Sequence, residues 1–423
     1  MSTSPARGGR SPLLFIFLTV FIDLLGFGIV LPLLPIYSKA YGAGELELGL
    51  LFSCFSGMQF LFAPMWGRLS DRIGRKPVLV GGLIGTSASY LLFAYATSMP
   101  MLFVARLLAG FFGANISTAA AYIADVTTPE NRAKGMGLLG AAFGLGFTFG
   151  PFVGGELTAF SPMYPGFLAA GLSLVAAGFG AWKLVEPPRE LRTHSRVFSL
   201  EQVRLAFGEP RIGVLFALSF LSVLAFSAFE AMFARFGLAT FPHQFGLADS
   251  IEHATMDDVL KAAPYTGRYL GAIGILSAII QGGLIRRLVP RFGETSLALA
   301  GQAVLALALL VLGLSQSWGI VLLGCILMPF GFGLNNPSLS GLISRATPSD
   351  QQGAFLGLNQ SLGSLARMTG PPLAGEAFQH IDPHAPFLLG AAVLGLSVFL
   401  AYGYHRRFGA TFPRKAAAAP AEA

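Results

Sequence analysis

Twelve apolar stretches of roughly 18–25 residues follow one another along the chain, and each is long enough to cross a hydrocarbon core of about 30 Å as a helix. Of the 423 residues, 54% are hydrophobic and only 12% are charged, about half the charged fraction of a soluble domain. These runs also lack the alternation of barrel strands. The sequence therefore predicts an all-α membrane protein with twelve transmembrane helices near residues 13–36, 47–66, 78–97, 99–124, 136–159, 165–185, 212–236, 265–285, 296–315, 318–343, 353–378 and 385–404.

Basic residues fall in the loops after even-numbered spans and in the C-terminal tail, whereas acids predominate after odd-numbered spans. Because short cytoplasmic loops carry the excess of Lys and Arg, we expect both termini and the basic loops in the cytoplasm. The formal net charge of +7 follows from these loops, so no nucleic-acid partner is predicted. The basic residues are Arg68, Arg72, Arg75, Lys76, Arg132, Lys134, Arg189, Arg192, Arg196, Arg204, Arg286, Arg287, Arg291, Arg345, Arg406, Arg407, Arg414 and Lys415.

The first predicted span follows Arg7 and Arg10 and so resembles a secretory signal peptide. Its apolar run is too long for such a signal, has no A-x-A cleavage site and contains Asp23, so we expect a retained membrane helix. The short tails and the lack of a cleavable signal favour the cytoplasmic (inner) membrane of a bacterium.

Spans 4 and 5 repeat in spans 10 and 11. Asn115 aligns with Asn335 and Glu156 with Glu376, both at an offset of 220 residues. Repeated halves of like orientation are a recurrent transporter design, with a site near the membrane midplane. The predicted organisation is two pseudo-symmetric six-helix halves, 1–185 and 211–405, with a cytoplasmic linker at 186–210 and a cytoplasmic tail at 406–423.

Three motifs connect the chain to a known family. The loop between spans 2 and 3 reads GRLSDRIGRK from Gly67, span 4 contains Arg106-x-x-x-Gly110, and span 5 contains GLGFTFGPFVGG. With these motifs the chain resembles the major facilitator superfamily over nearly its whole length. The closest likeness is to its twelve-helix drug/proton antiporters, particularly the tetracycline/proton antiporter group. One departure is Ser89, which stands where the tetracycline exporters carry an acid.

The first motif is expected to form a cytoplasmic gate. Its bases hold the loop in the cytoplasm, but that role does not explain Asp71. By the resemblance, Asp71 should lie near the N-terminal end of helix 11, around residues 351–353, where the helix dipole stabilises a carboxylate by about 0.3–1 kcal/mol. Arg75 or Arg72 is expected to pair with Asp125. The predicted gate comprises Gly67, Asp71, Arg72, Gly74, Arg75, Lys76 and Asp125.

Small residues dominate the antiporter-type motif of span 5. Glycines let a neighbouring helix approach closely, and a proline removes a backbone hydrogen bond and should bend the helix. The same residues would also serve ordinary packing in a membrane bundle. We expect a pliable hinge made of Gly146, Gly150, Pro151, Gly154 and Gly155.

Four charged side chains lie well inside the predicted spans, at Asp23, Arg106, Glu230 and Arg367. Such charges are costly in a membrane unless they are paired or hydrated, so these residues are proton-coupling candidates, with static ion pairs as the structural alternative. A carboxyl group in low dielectric can exchange protons near neutral pH. We favour Asp23 as the proton carrier, with Glu230 as the alternative, and expect the arginines to tune these acids or bind an anionic group of the substrate.

Other polar residues inside the spans support weaker predictions. Arg235 and Arg268 lie near span ends, where long basic side chains reach the membrane surface, so we expect no special role for them. The uncharged polar residues either bind substrate or tie helices together. The substrate-binding candidates are Gln59, Asn115, Asn335, Asn359 and Gln360.

No catalytic constellation is found in the sequence. It contains neither a Walker loop nor a nucleophile elbow, and no metal-binding spacing is present. We therefore predict a transporter that is not an enzyme, uses no cofactor or metal and is driven by an ion gradient. The main hypothesis is proton-coupled export of an amphipathic drug-like compound by alternating access, with substrate, protons and lipid as the partners of a functional monomer. The alternatives are metabolite or lipid transport by symport or facilitated diffusion, and a non-transporting sensor or membrane enzyme.

Overall fold

The computed structural model describes residues 12–114, 116–127, 129–187, 208–247, 255–347 and 352–409. Twelve long helices, α1 to α12, contain nearly all of these residues, and no β-strand occurs among them. In chain order the helices are Pro12–Ala40, Glu45–Ile73, Arg75–Ala94, Met99–Gly113 with Ile116–Val126, Pro129–Thr158, Tyr164–Lys183, Pro210–Thr240, Met256–Ile279 with Ile280–Leu284 and Ile285–Phe292, Glu294–Gly313, Trp318–Ala346, Gln352–His380 and Ala385–Phe408.

The twelve helices confirm the predicted all-α membrane fold. Ten of them combine a length of at least 18 residues with a composition that suits a bilayer core. The other two, α5 and α11, are 30 and 29 residues long and include side chains outside the described set. Several helices run past their apolar windows: α8 continues through a π-helical turn, Ile280–Leu284, to Phe292.

The same glycine turn ends the second helix of each half. Gly74 ends α2 with a φ of +111°, and Gly293 ends α8 with a φ of +80°. Side chains other than hydrogen are strained at such angles, so glycine allows the next helix to begin at once. Arg75 and Glu294 are therefore the first residues of α3 and α9. The repeat seen in the sequence thus extends to the backbone of these turns.

Helices α1–α6 form one half of the molecule and α7–α12 the other. The two halves meet mainly where α2 packs on α11 and α5 packs on α8. Close approach at these contacts depends on small residues. A Cβ atom added at Gly49 of α2 would lie 2.7 Å from the Cα atom of Pro372, and one added at Gly155 of α5 would lie 2.9 Å from the Cα atom of Gly267.

The bundle has two distinguishable ends. We call the end with the Gly74 and Gly293 turns the basic end, and the end with the turn between α1 and α2 the opposite end. Many of the described contacts between the halves involve residues 44–57 at the start of α2, α5 residues 147–156, α8 residues 263–274 and α11 residues 368–379. All of these segments belong to the parts of the helices nearer the opposite end, so the halves are joined there.

Candidate transport site and gates

Arg106 lies where α4 packs on α2. Its side chain is only 2% exposed, and its Cζ atom lies 4.6 Å from the centre of the Phe55 ring and 5.6 Å from that of Phe27. Both rings attract the guanidinium by cation–π interaction, yet its Nε and Nη1 atoms have no hydrogen-bond partner. Buried charges are ordinarily paired, so this guanidinium keeps donors available for a ligand.

Glu230 on α7 and Arg367 on α11 form the second part of the site. Both side chains are half-buried, and Arg367 Nη2 donates to Ser364 Oγ at 3.2 Å. The Glu230 carboxylate interacts electrostatically with Arg367 and, across the two halves, with Arg106. Three of the four intramembrane charges predicted from the sequence therefore act on one another where the halves meet.

Asp23, the fourth charge, is enclosed within the N-terminal half. Its side chain is 8% exposed, and its Oδ1 atom accepts a hydrogen bond of 3.2 Å from Ser173 Oγ of α6. Tyr90 of α3 is also buried and interacts electrostatically with both Asp23 and Arg106. Tyr90 therefore connects Asp23 electrostatically to Arg106 inside the N-terminal half.

Aromatic rings lie near Arg106 in the N-terminal half, and a second pair of rings occurs on α7 and α10 of the other half. Phe27 of α1 has its ring centre 4.5 Å from that of Phe55 and 5.6 Å from that of Phe147 on α5. In the other half, Phe226 stacks on Phe332 with 4.2 Å between ring centres. Rings that are half-buried next to a few polar groups are typical of sites for apolar or aromatic small molecules.

The predicted hinge glycines of α5 face two different helices. A Cβ atom at Gly150 would lie 2.5 Å from the carbonyl carbon of Gly28 on α1, while Gly155 faces Gly267 on α8. Pro151 lies between them, and its carbonyl oxygen approaches Gly267. α5 therefore contacts its own half on one side and the other half on the other. The glycines that face α1 are Gly146, Gly150 and Gly154.

The charged loop between α2 and α3 makes its ion pairs within the N-terminal half. Arg75 Nη1 lies 2.7 Å from Asp71 Oδ1, and Arg75 Nε lies 3.0 Å from Asp125 Oδ2 at the end of α4. The expected contact between Arg75 and Asp125 is therefore present, whereas Arg72 is exposed. Gly67 has open space beside it and accepts a bond from Ser70 through its carbonyl oxygen.

The expected placement of Asp71 at the start of α11, around residues 351–353, stays a prediction. Asp71 has Arg75 as an ion-pair partner, and residue 351 lies outside the described residues. The described contacts between the halves lie toward the opposite end, whereas Asp71 lies at the basic end. A contact between Asp71 and α11 would belong to a state in which the basic end is closed.

Glu186, which was not predicted as a site residue, caps α3 at the gate motif. Its two carboxylate oxygens accept the backbone N–H groups of Arg75 at 2.6 Å and Lys76 at 2.9 Å. A carboxylate there satisfies free helix N–H groups and is favoured by the helix dipole. Glu186 follows α6, so it ties the gate motif to the start of the segment that connects the halves. The only feature of the sequence that could have drawn attention to Glu186 is its position before two prolines.

The substrate-binding candidates occupy different environments. Gln59 Nε2 donates to the carbonyl oxygen of Gly113 at 3.2 Å, so it ties α2 to α4. Asn335 is fully buried and donates to Ser222 Oγ at 2.8 Å, within the C-terminal half. These two residues hold helices together, which is the alternative to substrate binding that the sequence left open. Asn359 is half-buried with an unpartnered Oδ1 atom, Gln360 is exposed, and Asn115 lies outside the described residues.

Arg235 of α7 does not reach the membrane surface, so our expectation for it was wrong. Its side chain is 0% exposed. Nη1 donates to the carbonyl oxygen of Pro35 and Nη2 to that of Ala43, both at 3.1 Å, and Nε lies 3.1 Å from Glu45 Oε1. All three partners belong to the N-terminal half. We call these four residues the outer latch, because they join the halves at the opposite end.

A second arginine also crosses between the halves. Arg268 of α8 forms a two-point contact with Glu156 of α5, at 2.6 Å from Nε to Oε1 and 3.1 Å from Nη2 to Oε2. The pair is exposed, as expected for a residue near a span end, so its contribution to stability is small.

Two six-helix halves that meet around buried charges and half-buried rings define a membrane transporter. The Major Facilitator Superfamily model matches residues 16–371 and 269–422, and the chain belongs to that family. Its members and structural neighbours are transporters and not enzymes, and the same holds for this protein.

Individual relatives cover most of the chain. It is 34% identical over 375 residues to the class C tetracycline resistance protein of Escherichia coli, covering 86% of this chain and 88% of that protein. It is 30% identical over 384 residues to multidrug resistance protein 2 of Bacillus subtilis (strain 168), covering 89% and 90%. The crystal structure of the human organic anion transporter MFSD10 (TETRAN) matches with a TM-score of 0.69 and 26% identity over 92% of this chain and 98% of that one. The predicted resemblance is confirmed.

Proposed function

We propose that the protein is a proton-coupled exporter that exchanges an amphipathic, drug-like compound for protons by alternating access. The observation that carries this proposal is the Glu230 carboxylate, which lies between the halves and interacts with both Arg367 and Arg106. A carboxylate in that position can be reached by substrate and by protons. The names of the bacterial relatives, tetracycline and multidrug resistance proteins, support export of drug-like compounds.

We assign the proton-carrying role to Glu230 in preference to Asp23. Antiport requires that the proton and the substrate exclude each other at one group. Glu230 is half-buried and interacts electrostatically with Arg106 of the other half, so we expect a substrate to displace its proton directly. Asp23 is enclosed by α1, α3 and α6 and bonded to Ser173, so a substrate between the halves has no direct access to it. Asp23 and Tyr90 would then influence Arg106 from within the half.

The proposed cycle uses the two ends of the bundle alternately. With the halves joined through the outer latch, the site is accessible from the basic end. In the other state the latch opens, and Asp71 moves to the start of α11, where the helix dipole favours a carboxylate. The α5 glycines would let the helix pack closely on α1 and α8 in both states. We also propose that a single chain carries out this cycle as a functional monomer.

We propose that the basic end faces the cytoplasm. Lys and Arg are concentrated in the loops at that end and in the tail, which follows the orientation rule of membrane proteins. With this orientation both termini are cytoplasmic and the described state faces inward. The bacterial relatives support a location in the cytoplasmic (inner) membrane.

The second candidate function is symport or facilitated diffusion of a metabolite or lipid. The free donors of Arg106 favour symport. An anion bound to them, next to Glu230, would promote proton uptake by the Glu230 carboxylate. The anion and the proton would then move together. The human relative is named as an organic anion transporter. Ser89 bears on the substrate as well, since it is buried, donates to the carbonyl oxygen of Gly85 at 2.8 Å and provides no acid at this position, which argues against tetracycline itself.

Proteoliposomes test the proposed coupling. With ethidium, tetracycline and norfloxacin as a panel of amphipathic probes that differ in charge, an acidic lumen should drive uptake of at least one, and addition of that probe should release protons from the lumen. Glu230→Gln should retain probe exchange at equal pH but lose pH-driven uptake, whereas Asp23→Asn should retain both. Undiminished pH-driven uptake by Glu230→Gln would exclude Glu230 as the carrier. Proton movement in the same direction as the probe would favour the second candidate.

A further inference from the structure

Arg106 is a buried cation without a paired acid. Among the described residues no carboxylate oxygen lies within ion-pair distance of its guanidinium nitrogens, and Nε and Nη1 have no hydrogen-bond partner. The rings of Phe27 and Phe55 lie near the guanidinium, but rings attract the charge without satisfying in-plane N–H groups. An anionic group of a ligand would supply what is missing, because carboxylates bind guanidinium donors well.

Glu230 is the complementary negative pole of the same site. It lies on α7, in the other half from Arg106, and the two interact electrostatically. Arg367 lies on the Glu230 side and already donates to Ser364. Phe147 of the N-terminal half contacts the Phe27 ring next to Arg106, and Phe226 of the C-terminal half lies about one helical turn before Glu230 on α7; both rings are half-buried. The site therefore offers a positive pole and a negative pole on opposite halves, with aromatic surface nearby.

We propose that the substrate is an aromatic zwitterion whose anionic group binds Arg106 and whose ammonium group binds Glu230. This inference rests on the proposed function and names the class of compound that the same site takes. Neither pole alone suffices. A simple cation leaves the Arg106 donors unpaired and adds a positive charge to a site with two arginines. A simple anion leaves Glu230 without a competitor for its proton.

The zwitterion also preserves exchange with protons. Its ammonium group and a proton compete for the Glu230 carboxylate, so binding of one releases the other. Its anionic group occupies Arg106, which holds no exchangeable proton under ordinary conditions. Because the two poles lie on opposite halves, one bound molecule bridges the halves, and its binding energy depends on their relative position. Such differential binding is what allows a ligand to shift a conformational equilibrium.

Matched compounds test this inference in the purified full-length protein. The probes are norfloxacin, its ethyl ester and its N-acetyl derivative, which are respectively a zwitterion, a cation and an anion near neutral pH. A second series uses 4-phenylphenylalanine with its methyl ester and N-acetyl derivative. Dissociation constants from thermal shift titrations should favour the zwitterion of each series over both derivatives by at least about tenfold, the size of one hydrogen-bonded charge contact.

Variants should remove the two preferences separately. Arg106→Gln should abolish the preference for the zwitterion over its ester, and Glu230→Gln should abolish the preference over the N-acetyl compound. Arg268→Gln, a control at the exposed pair near the opposite end, should change neither. If Arg106→Gln does not purify as a monodisperse protein, Arg106→Lys, which keeps the charge but not the planar donors, should weaken zwitterion and N-acetyl binding and spare the ester.

The wild-type ranking is decisive by itself. Equal or tighter binding of the esters in both series, or no binding of either zwitterion, would overturn the inference. An ester that is exported in exchange for protons as well as the zwitterion would leave the proposed function intact while refuting the substrate class. A zwitterion that binds with the expected ranking but moves without proton exchange would refute the coupling and retain the substrate class.

Discussion

The outer latch predicts a conformational shift in Glu45→Gln. Glu45 provides the only described charge opposite Arg235, and its side chain is 15% exposed. The glutamine side chain has nearly the same size but no charge, so the Arg235 guanidinium would remain buried with only the carbonyl oxygens of Pro35 and Ala43. When the opposite end opens, Arg235 regains contact with water or lipid headgroups. The substitution therefore destabilises the closed state and not the open one.

The size of the effect follows from the burial of the pair. Removing one partner of a buried ion pair costs about 3–5 kcal/mol. We take about 3 kcal/mol, the low end of that range, because two hydrogen bonds to Arg235 remain. That energy changes the ratio of the two states roughly a hundredfold. If the state open at the opposite end has a population of about 0.1–1% in the wild type, it should rise to about 10–50%.

Distances between spin labels measure this change directly. Phe160 and Ile381 are 78% and 70% exposed and lie at the opposite end of the two halves, outside the latch. Labelled cysteines at these positions, in a background without Cys54 and Cys325, should give one dominant distance for the wild type. Glu45→Gln should add a longer distance with about 10–50% of the amplitude, as worked out from the population ratio.

Two matched glutamates serve as controls. Glu376→Gln, which removes an exposed acid whose ion-pair partner is His380 of the same helix, should leave the distance distribution unchanged. Glu156→Gln breaks an exposed pair between the halves, so it should shift the populations only a few-fold, as expected for about 0.2–1 kcal/mol. A Glu45→Gln distribution that superposes on the wild type would refute the reasoning, because it would mean that the latch does not favour closure.

Two further variants test the α5 packing and the gate. Gly154→Ala should lower the thermal unfolding temperature, because its methyl group would meet a backbone carbonyl of α1 and overpacking costs about 1–3 kcal/mol. The control, Gly144→Ala, has open space beside it and should leave the unfolding temperature unchanged. Equal unfolding temperatures of the two variants would contradict the packing argument. In the Glu45→Gln background, Asp71→Asn should lower the ratio of the longer to the dominant spin-label distance by about two- to fivefold, the equivalent of about 0.3–1 kcal/mol of dipole stabilisation. Asp257→Asn is the control, and an unchanged ratio would remove Asp71 from the proposed gate.

The sequence was sufficient for the number, order and type of the helices. Apolar runs of this length have no stable alternative to a helix in lipid, so α1 to α12 follow the predicted spans. The contact between Arg75 and Asp125 was also predictable, because both lie at the same end of helices that follow each other closely. Local pattern and loop length determine such features.

Contacts between the halves were not predictable in the same way. Arg235 lies near the end of its span, and only the turn between α1 and α2, nearly 200 residues away in the chain, encloses it. Asn335 was expected to bind substrate, yet its nearest polar partner, Ser222, lies on another helix of its own half. In both cases the deciding neighbour is distant in sequence, and polarity alone does not reveal which neighbour a side chain meets.

The ion pairs at the two ends differ in what they connect. At the basic end, described ion pairs stay within one half. Arg75 pairs with Asp125 in the N-terminal half and Glu294 pairs with Arg345 in the C-terminal half. These two pairs occupy corresponding positions with the acid and the base exchanged. In the proposed cycle, closing that end leaves these two pairs intact and gives up only the contact of the exposed Asp71 with Arg75. At the opposite end the outer latch crosses between the halves, so opening must compensate for the loss of a buried ion pair. A ligand can supply that energy only if it binds the state in which the two halves have closed around it more tightly than it binds the described state. The proposed zwitterion would meet this requirement, because a ligand that bridges Arg106 and Glu230 on opposite halves would bind more tightly as the halves approach.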